Sequence, residues 1–440
     1  LLFFSLAFYA YGAPDFILIL LASSTLNFHI VKWMDKVQSE KLKKLICALS
    51  VMISLSLLLY FKYANFFVDN INRILGLMHH HPIAWVKVLL PIGISFFTFQ
   101  SITYTIDVYR KTTPHCEKLT NYILYIIMFP QLIAGPIVLY SSVAAELIKR
   151  NSEMEDRVLG FYRFIIGLSK KVLIANTLAQ VADQVFAMDY LQIGSGVAWV
   201  GILSYTFQIY FDFSGYSDMA IGLGKMMGFN FPENFMNPYT SQSISEFWRR
   251  WHMTLGLFMK DYLYIPLGGN RGSKARTYLN LAIVFLCSGF WHGASFNFIL
   301  WGAFHGFFLI MDRVFMMKLL KKIGKIPSVI LTFFIVNLGW VLFRIEDLSG
   351  AWNYYQSLFA FRNGFSVVFT ERFWFFFVLA IFFSFITMSK KGQRVQDLVF
   401  ANTYTIKRSR IMFVVALLLL ILSAGSLAVS DFNPFIYFRF

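Results

Sequence analysis

Tyr205-Thr-Phe-Gln-Ile-Tyr-Phe-Asp-Phe-Ser-Gly-Tyr-Ser-Asp218 sets two carboxylates against a run otherwise fit for lipid. It opens a motif core, residues 205–312, that continues with Glu246-Phe-Trp-Arg-Arg-Trp-His252, Trp291-His-Gly293 and His305-Gly306. Three of the chain's eight histidines fall here, among apolar segments. An ionisable side chain in hydrocarbon is costly, so each needs a structural or chemical reason.

The chain around this core is 58% hydrophobic and 14% charged over 440 residues, with a mean hydropathy of +0.60. Soluble domains carry about 25% charged residues. Several apolar runs approach the roughly twenty residues that span a bilayer. The expected fold is an all-α polytopic membrane protein, one transmembrane domain over residues 1–440 with no soluble domain and no internal repeat. A net charge of +16 would point to nucleic acid in a soluble chain. Here it fits basic inside loops and contact with anionic lipid, and no nucleic-acid partner is expected. The 51 Phe and 22 Tyr serve mainly as lipid-facing bulk and interfacial belts. Cys47, Cys116 and Cys287 have no metal or redox spacing, so no disulfide framework is expected. Leu1 lies inside an apolar run and reads as a truncated first span rather than a cleavable signal peptide.

Basic clusters order the topology. Lys32 to Lys44 reads as an inside loop, followed by an outward crossing over 45–61 and an outside loop with His79-His80-His81. Three consecutive histidines cannot all face one ion, and no metal site is expected. Residues 86–106 return inward. Residues 122–140 are broken by Pro130, Gly135 and Pro136, a re-entrant or kinked element that only protein or a cavity can shelter. Lys149, Arg150, Lys170 and Lys171 bracket a short amphipathic stretch at the inner face. Apolar segments follow at 197–211, 277–290, 296–311, 330–343, 373–388 and 411–428. The tail, 430–440, is then expected outside.

His292 lies between two apolar segments, flanked by Gly289 and Gly293. A neutral imidazole there can take a proton from a hydroxyl, or it can simply be a helix-packing histidine. His252 ends a block in which Glu246, Arg249 and Arg250 share about one turn. That block is either an interfacial helix or a site where arginine forks hold a phosphate-bearing donor. Asp212 and Asp218 orient a histidine, pair with the arginines in a structural salt bridge, or help bind substrate. Arg271, after Gly268-Gly269-Asn270, sits in an ordinary turn or a phosphate cradle. His305 is thirteen residues from His292. Along one straight helix that is about 20 Å, too far for one site, so His305 reads as structural or as a support behind the site. Tyr437 in the aromatic tail is an interfacial anchor or a covalent acyl carrier.

These blocks, with Phe61-Lys-Tyr-Ala-Asn65, Leu90-Pro-Ile-Gly-Ile-Ser95, Phe129-Pro-Gln-Leu-Ile-Ala-Gly-Pro136 and Asp261-Tyr-Leu-Tyr-Ile-Pro-Leu-Gly-Gly-Asn-Arg271, resemble the bacterial membrane-bound O-acyltransferases, closest to the alginate O-acetylation branch. The resemblance implies a ring of transmembrane helices around a central pore, with re-entrant and amphipathic elements. It places the family's essential histidine at His292, its second histidine at His252 and its proposed tyrosine acyl carrier at Tyr437. It implies acetyl-CoA or another acyl thioester as donor substrate with no bound cofactor. It also implies a bacterial inner-membrane location, an extracytoplasmic O-acetyltransferase partner and a polysaccharide acceptor. Peptidoglycan, cellulose, lipid or protein acceptors stay open, as does a small-solute transporter using histidines as a proton relay.

Overall fold

Backbone in lipid must satisfy its hydrogen bonds within the segment or in a closed barrel. The computed structural model, which describes residues 1–365, 367–401, 403–429 and Phe435, meets this with helices throughout and forms no β-strand among those residues. Six helices are long and apolar enough to cross a membrane: Pro14–Lys36, Glu40–Leu77, Phe296–Ile323, Lys325–Arg344, Glu371–Met388 and Ile406–Val429. The chain divides into two compact units, Leu1–Ser152 with Met227–Phe231 and Glu153–Met226 with Pro232–Phe440.

In the first unit a polar knot ties helices together. The Asn27 amide donates to Ser50 at 2.8 Å and to Thr105 at 3.1 Å, and Tyr122 donates back to Asn27 at 2.6 Å. The expected crossing over 86–106 is corrected. Its helix starts only at Ile94 and runs to Tyr109. Pro91 cannot continue a hydrogen-bonded helix, and the residues before it are claimed by side chains instead. Asn65 accepts from Val88 N at 3.0 Å and donates to Val88 O at 2.8 Å, while Asn72 bonds Ile83 in both directions. Exposed His79, His80 and His81 fall in this non-helical stretch. The break expected near Pro130 is present between the helices Leu119–Ile127 and Tyr140–Ile148. Its backbone is sheltered: Tyr125 donates to Val138 O at 3.0 Å and Gln131 to Tyr125 O at 2.7 Å.

The second unit is built on two helices that composition hid. Ser195–Met226 is one helix that carries the Asp212–Asp218 motif in its interior, where the sequence reading ended the segment at 211. Its partner begins as Met154–Ser169, passes through a π turn at Lys170–Ala175 and continues as Asn176–Phe186. Lys170 and Lys171 therefore sit mid-helix rather than beside a surface stretch. Lys171 is buried against Asp212. Lys170 bonds Asp218 at 2.6 Å, and Arg163 bonds the same carboxylate at 3.1 and 2.9 Å. Cations paired with carboxylates inside a helix bundle are not loop markers, so these lysines do not mark the edge of a surface stretch.

The two backbones approach closely enough to allow this. Gly160 faces Gly222 and Gly167 faces Gly215; a methyl on Gly160 or Gly222 would sit 2.5 Å from the other's carbonyl oxygen. Small residues at such crossings are how membrane helices pack tightly without a hydrophobic driving force. A second close pair, Gly289 and Gly302, joins the helix Lys274–His292 to Phe296–Met311.

Gly222→Leu should lower the detergent unfolding midpoint clearly, because overpacking costs about 1–3 kcal/mol or more. Gly196→Ala, which meets nothing within 4 Å, should move it little. Equal effects from the two variants would remove the close crossing as a source of stability.

Candidate functional site

The Glu246-Phe-Trp-Arg-Arg-Trp-His252 block folds as a short helix, Ile244–Arg250, with His252 just beyond it. Three acceptors set its start. Ser243 Oγ accepts from Glu246 N at 3.1 Å, Glu246 accepts from Gln242 N at 2.7 Å, and buried Asp312 accepts from Ser245 N at 2.7 Å. A carboxylate at a helix N-terminus is stabilising. Trp251 then leaves the helix and His252 turns back at φ +46°. That left-handed geometry is uncommon outside glycine, though histidine is among the enriched exceptions. Such residues persist only when their surroundings over-determine them.

Asn234 supplies that constraint. Its carbonyl accepts from Met253 N at 2.9 Å, and its side-chain oxygen accepts from Thr254 N at 3.3 Å and Thr254 Oγ1 at 2.9 Å. A backbone N–H can only donate, so this contact fixes the amide's orientation. The His252 Nδ1, 3.1 Å from the same oxygen, must then carry the hydrogen. Nε2 is left with its lone pair, the form of a proton acceptor. Burial holds the His252 pKa down to about 3, so the ring is neutral near pH 7.

His292 is the last residue of Lys274–His292. Trp291 connects the two histidines: its ring centroid lies 4.9 Å from His292 and 6.3 Å from His252. Phe213, one residue after Asp212, stands edge-on to His252 at 4.8 Å. Trp301 and Phe343 pack on His292 at 5.1 and 5.2 Å.

His305 corrects the straight-helix estimate. The chain reverses between the helices ending at His292 and starting at Phe296. His305 therefore returns to the other side of Trp301, at 5.1 Å, with Trp248 5.0 Å away. The hairpin works because Gly289 and Gly302 bring the two backbones together.

The remaining candidates are placed apart. Asp212 and Asp218 take Lys171, Lys170 and Arg163 as partners, not the three arginines singled out from the sequence. Arg250 pairs with Glu246 at 2.5 Å. Arg249 is exposed and donates to Ser245 O at 3.2 Å. Arg271 is exposed in the turn after Gly268, and Arg313 joins that turn through Asn270 at 2.8 Å. Tyr437 lies outside the described residues. Among the described residues no three His, Cys, Asp or Glu side chains form a metal-binding group. Asn234, Trp291, Trp301 and Arg313 were missed from the sequence; only the density of Trp and His in the core hinted at the two tryptophans.

Residues 3–324 match the family model of the membrane-bound O-acyltransferases. The chain is 45% identical over 363 residues to the probable alginate O-acetylase of Pseudomonas aeruginosa, covering 82% of this chain and 69% of that protein. It is 38% identical over 381 residues to a peptidoglycan O-acetyltransferase of Helicobacter pylori, covering 79% and 71%. It is 26% identical over 286 residues to a teichoic acid D-alanyltransferase of Bacillus subtilis, covering 60% and 70%.

In protein labelled with ¹⁵N-histidine, His252 (assigned by difference against His252→Gln) should show a protonated Nδ1 and a bare Nε2. The pattern should be unchanged from pH 8 to pH 5, because both lie above the lowered pKa. Asn234→Leu should abolish the preference. A protonated Nε2 in the unaltered protein would overturn the tautomer.

Proposed function

The chain belongs to the membrane-bound O-acyltransferase family, and we propose that it moves an acetyl group from a cytoplasmic thioester, acetyl-CoA, to hydroxyls of an extracytoplasmic polysaccharide such as alginate. The observation that carries this reading is the pair of buried histidines packed on Trp291, one of them oriented by Asn234. The names of the three relatives favour a polymer acceptor, and the higher identity to the alginate enzyme favours alginate.

In this mechanism His292 takes the proton of the attacking hydroxyl as its oxygen bonds to the acyl carbon. The carbon–sulfur bond breaks and the proton passes to the departing thiolate, leaving free thiol. His252, held by Asn234, orients the hydroxyl. Arg249, Arg250 and Arg271 are the donor-binding candidates, since guanidinium forks suit the phosphates of the donor. The hydroxyl first acylated is the phenol of Tyr437, which hands the acetyl group to the polymer with an extracytoplasmic partner enzyme. The protein sits in the bacterial inner membrane with its C-terminus outside.

In proteoliposomes given acetyl-CoA, the unaltered protein should release free thiol, and His292→Ala should do so about 10²–10⁴-fold more slowly, the usual contribution of a general base. Activity within a few-fold of the unaltered protein would remove His292 as the base. Solute accumulation without thiol release would make the protein a transporter. Tyr437→Phe should lose polymer acetylation, and full acetylation by that variant would remove the relay.

A further inference from the structure

The three cations of the second unit's helix pair each have two faces. One face meets carboxylates of Ser195–Met226. The other meets phenylalanine rings from the chain's last quarter. Arg163 and Lys170 lie 5.3 and 5.8 Å from the Phe400 ring. The Lys171 ammonium lies 4.8 Å from the ring of Phe435. Tyr216 stands edge-on to the same Phe435 ring at 4.7 Å.

These contacts define a socket rather than a chance touch. Lys171 is buried and already bound to Asp212, so its charge is desolvated, and a desolvated cation gains most from an aromatic face. Asp212, Phe213 and Tyr216 fall within about one and a half turns of one helix. Of these, Asp212 holds the lysine, Tyr216 holds Phe435, and Phe213 packs on His252.

We propose that the buried Lys171–Asp212 pair, with Tyr216, is a docking socket for the chain's own C-terminal segment, which enters it through Phe435 beside the His252 side of the site. The socket gives the Asp212 carboxylate a use that substrate binding does not require. Tyr437 is two residues from Phe435, about 7 Å of extended chain at most, so docking limits where its phenol can go. That last consequence rests on the acyl-carrier reading; the docking does not.

The test uses the full chain with a benzophenone-bearing phenylalanine at position 435, irradiated in liposomes and mapped by mass spectrometry. The expected crosslinks fall on the peptides containing Lys171 and Tyr216. Their yield should fall about tenfold in a Lys171→Met, Asp212→Leu double variant, which removes both charges together, consistent with a cation–π contact of about 1–2 kcal/mol. Tyr216→Ala provides a second variant that leaves the ion pair in place, and its yield should fall as well. Crosslinks only to lipid or to other helices overturn the socket, as does a yield unchanged in both variants. Polymer acetylation that survives Tyr437→Phe, with the crosslinks found as expected, overturns the acyl-carrier reading and leaves the docking standing.

Discussion

The second unit depends on carboxylates and cations that neutralise each other inside it. Asp212 and Asp218 stand within a helix, and three cations from the neighbouring helix meet them. Breaking one such buried pair leaves an uncompensated charge, typically at a cost of about 3–5 kcal/mol. The pairs also require the backbones to lie close, which the reciprocal glycines permit. Charge pairing and close packing therefore select the same register. A slip of either helix would set methylene against carbonyl and leave a carboxylate without its cation.

That register reaches the histidines through aromatic contacts. Phe213 follows Asp212 directly and packs on His252. Trp291 joins His252 to His292, and Trp301 joins His292 to His305. Rings offer large rigid area with few torsions to fix, and edge-to-face pairs add about 0.5–1.5 kcal/mol each. Rings thus pack the imidazoles, while Asn234 sets the tautomer of one of them.

Much of this was legible. Apolar runs gave the later spans to within about five residues at most ends, although the one begun at Phe296 continues to Ile323, and the broken stretch near Pro130 was visible from its prolines. His252 and His292 stood out because titratable groups are rare in such company. The failures share one cause, which is that a sequence does not show partners. Lys170 and Lys171 looked like an interfacial marker because Asp212 and Asp218 lie more than forty residues away. His305 looked remote because the reversal after His292 depends on glycines meeting across two helices. Asn234 carried no signal at all, since its importance lies in two hydrogen-bonding positions on another segment.

The π turn at Lys170–Ala175 marks where the helix departs from regular hydrogen bonding. In a regular helix adjacent residues point about 100° apart, yet Lys170 and Lys171 both reach carboxylates of one neighbouring helix. Single π turns inside α-helices occur frequently at functional sites, and here one coincides with the two cations that hold the carboxylate helix.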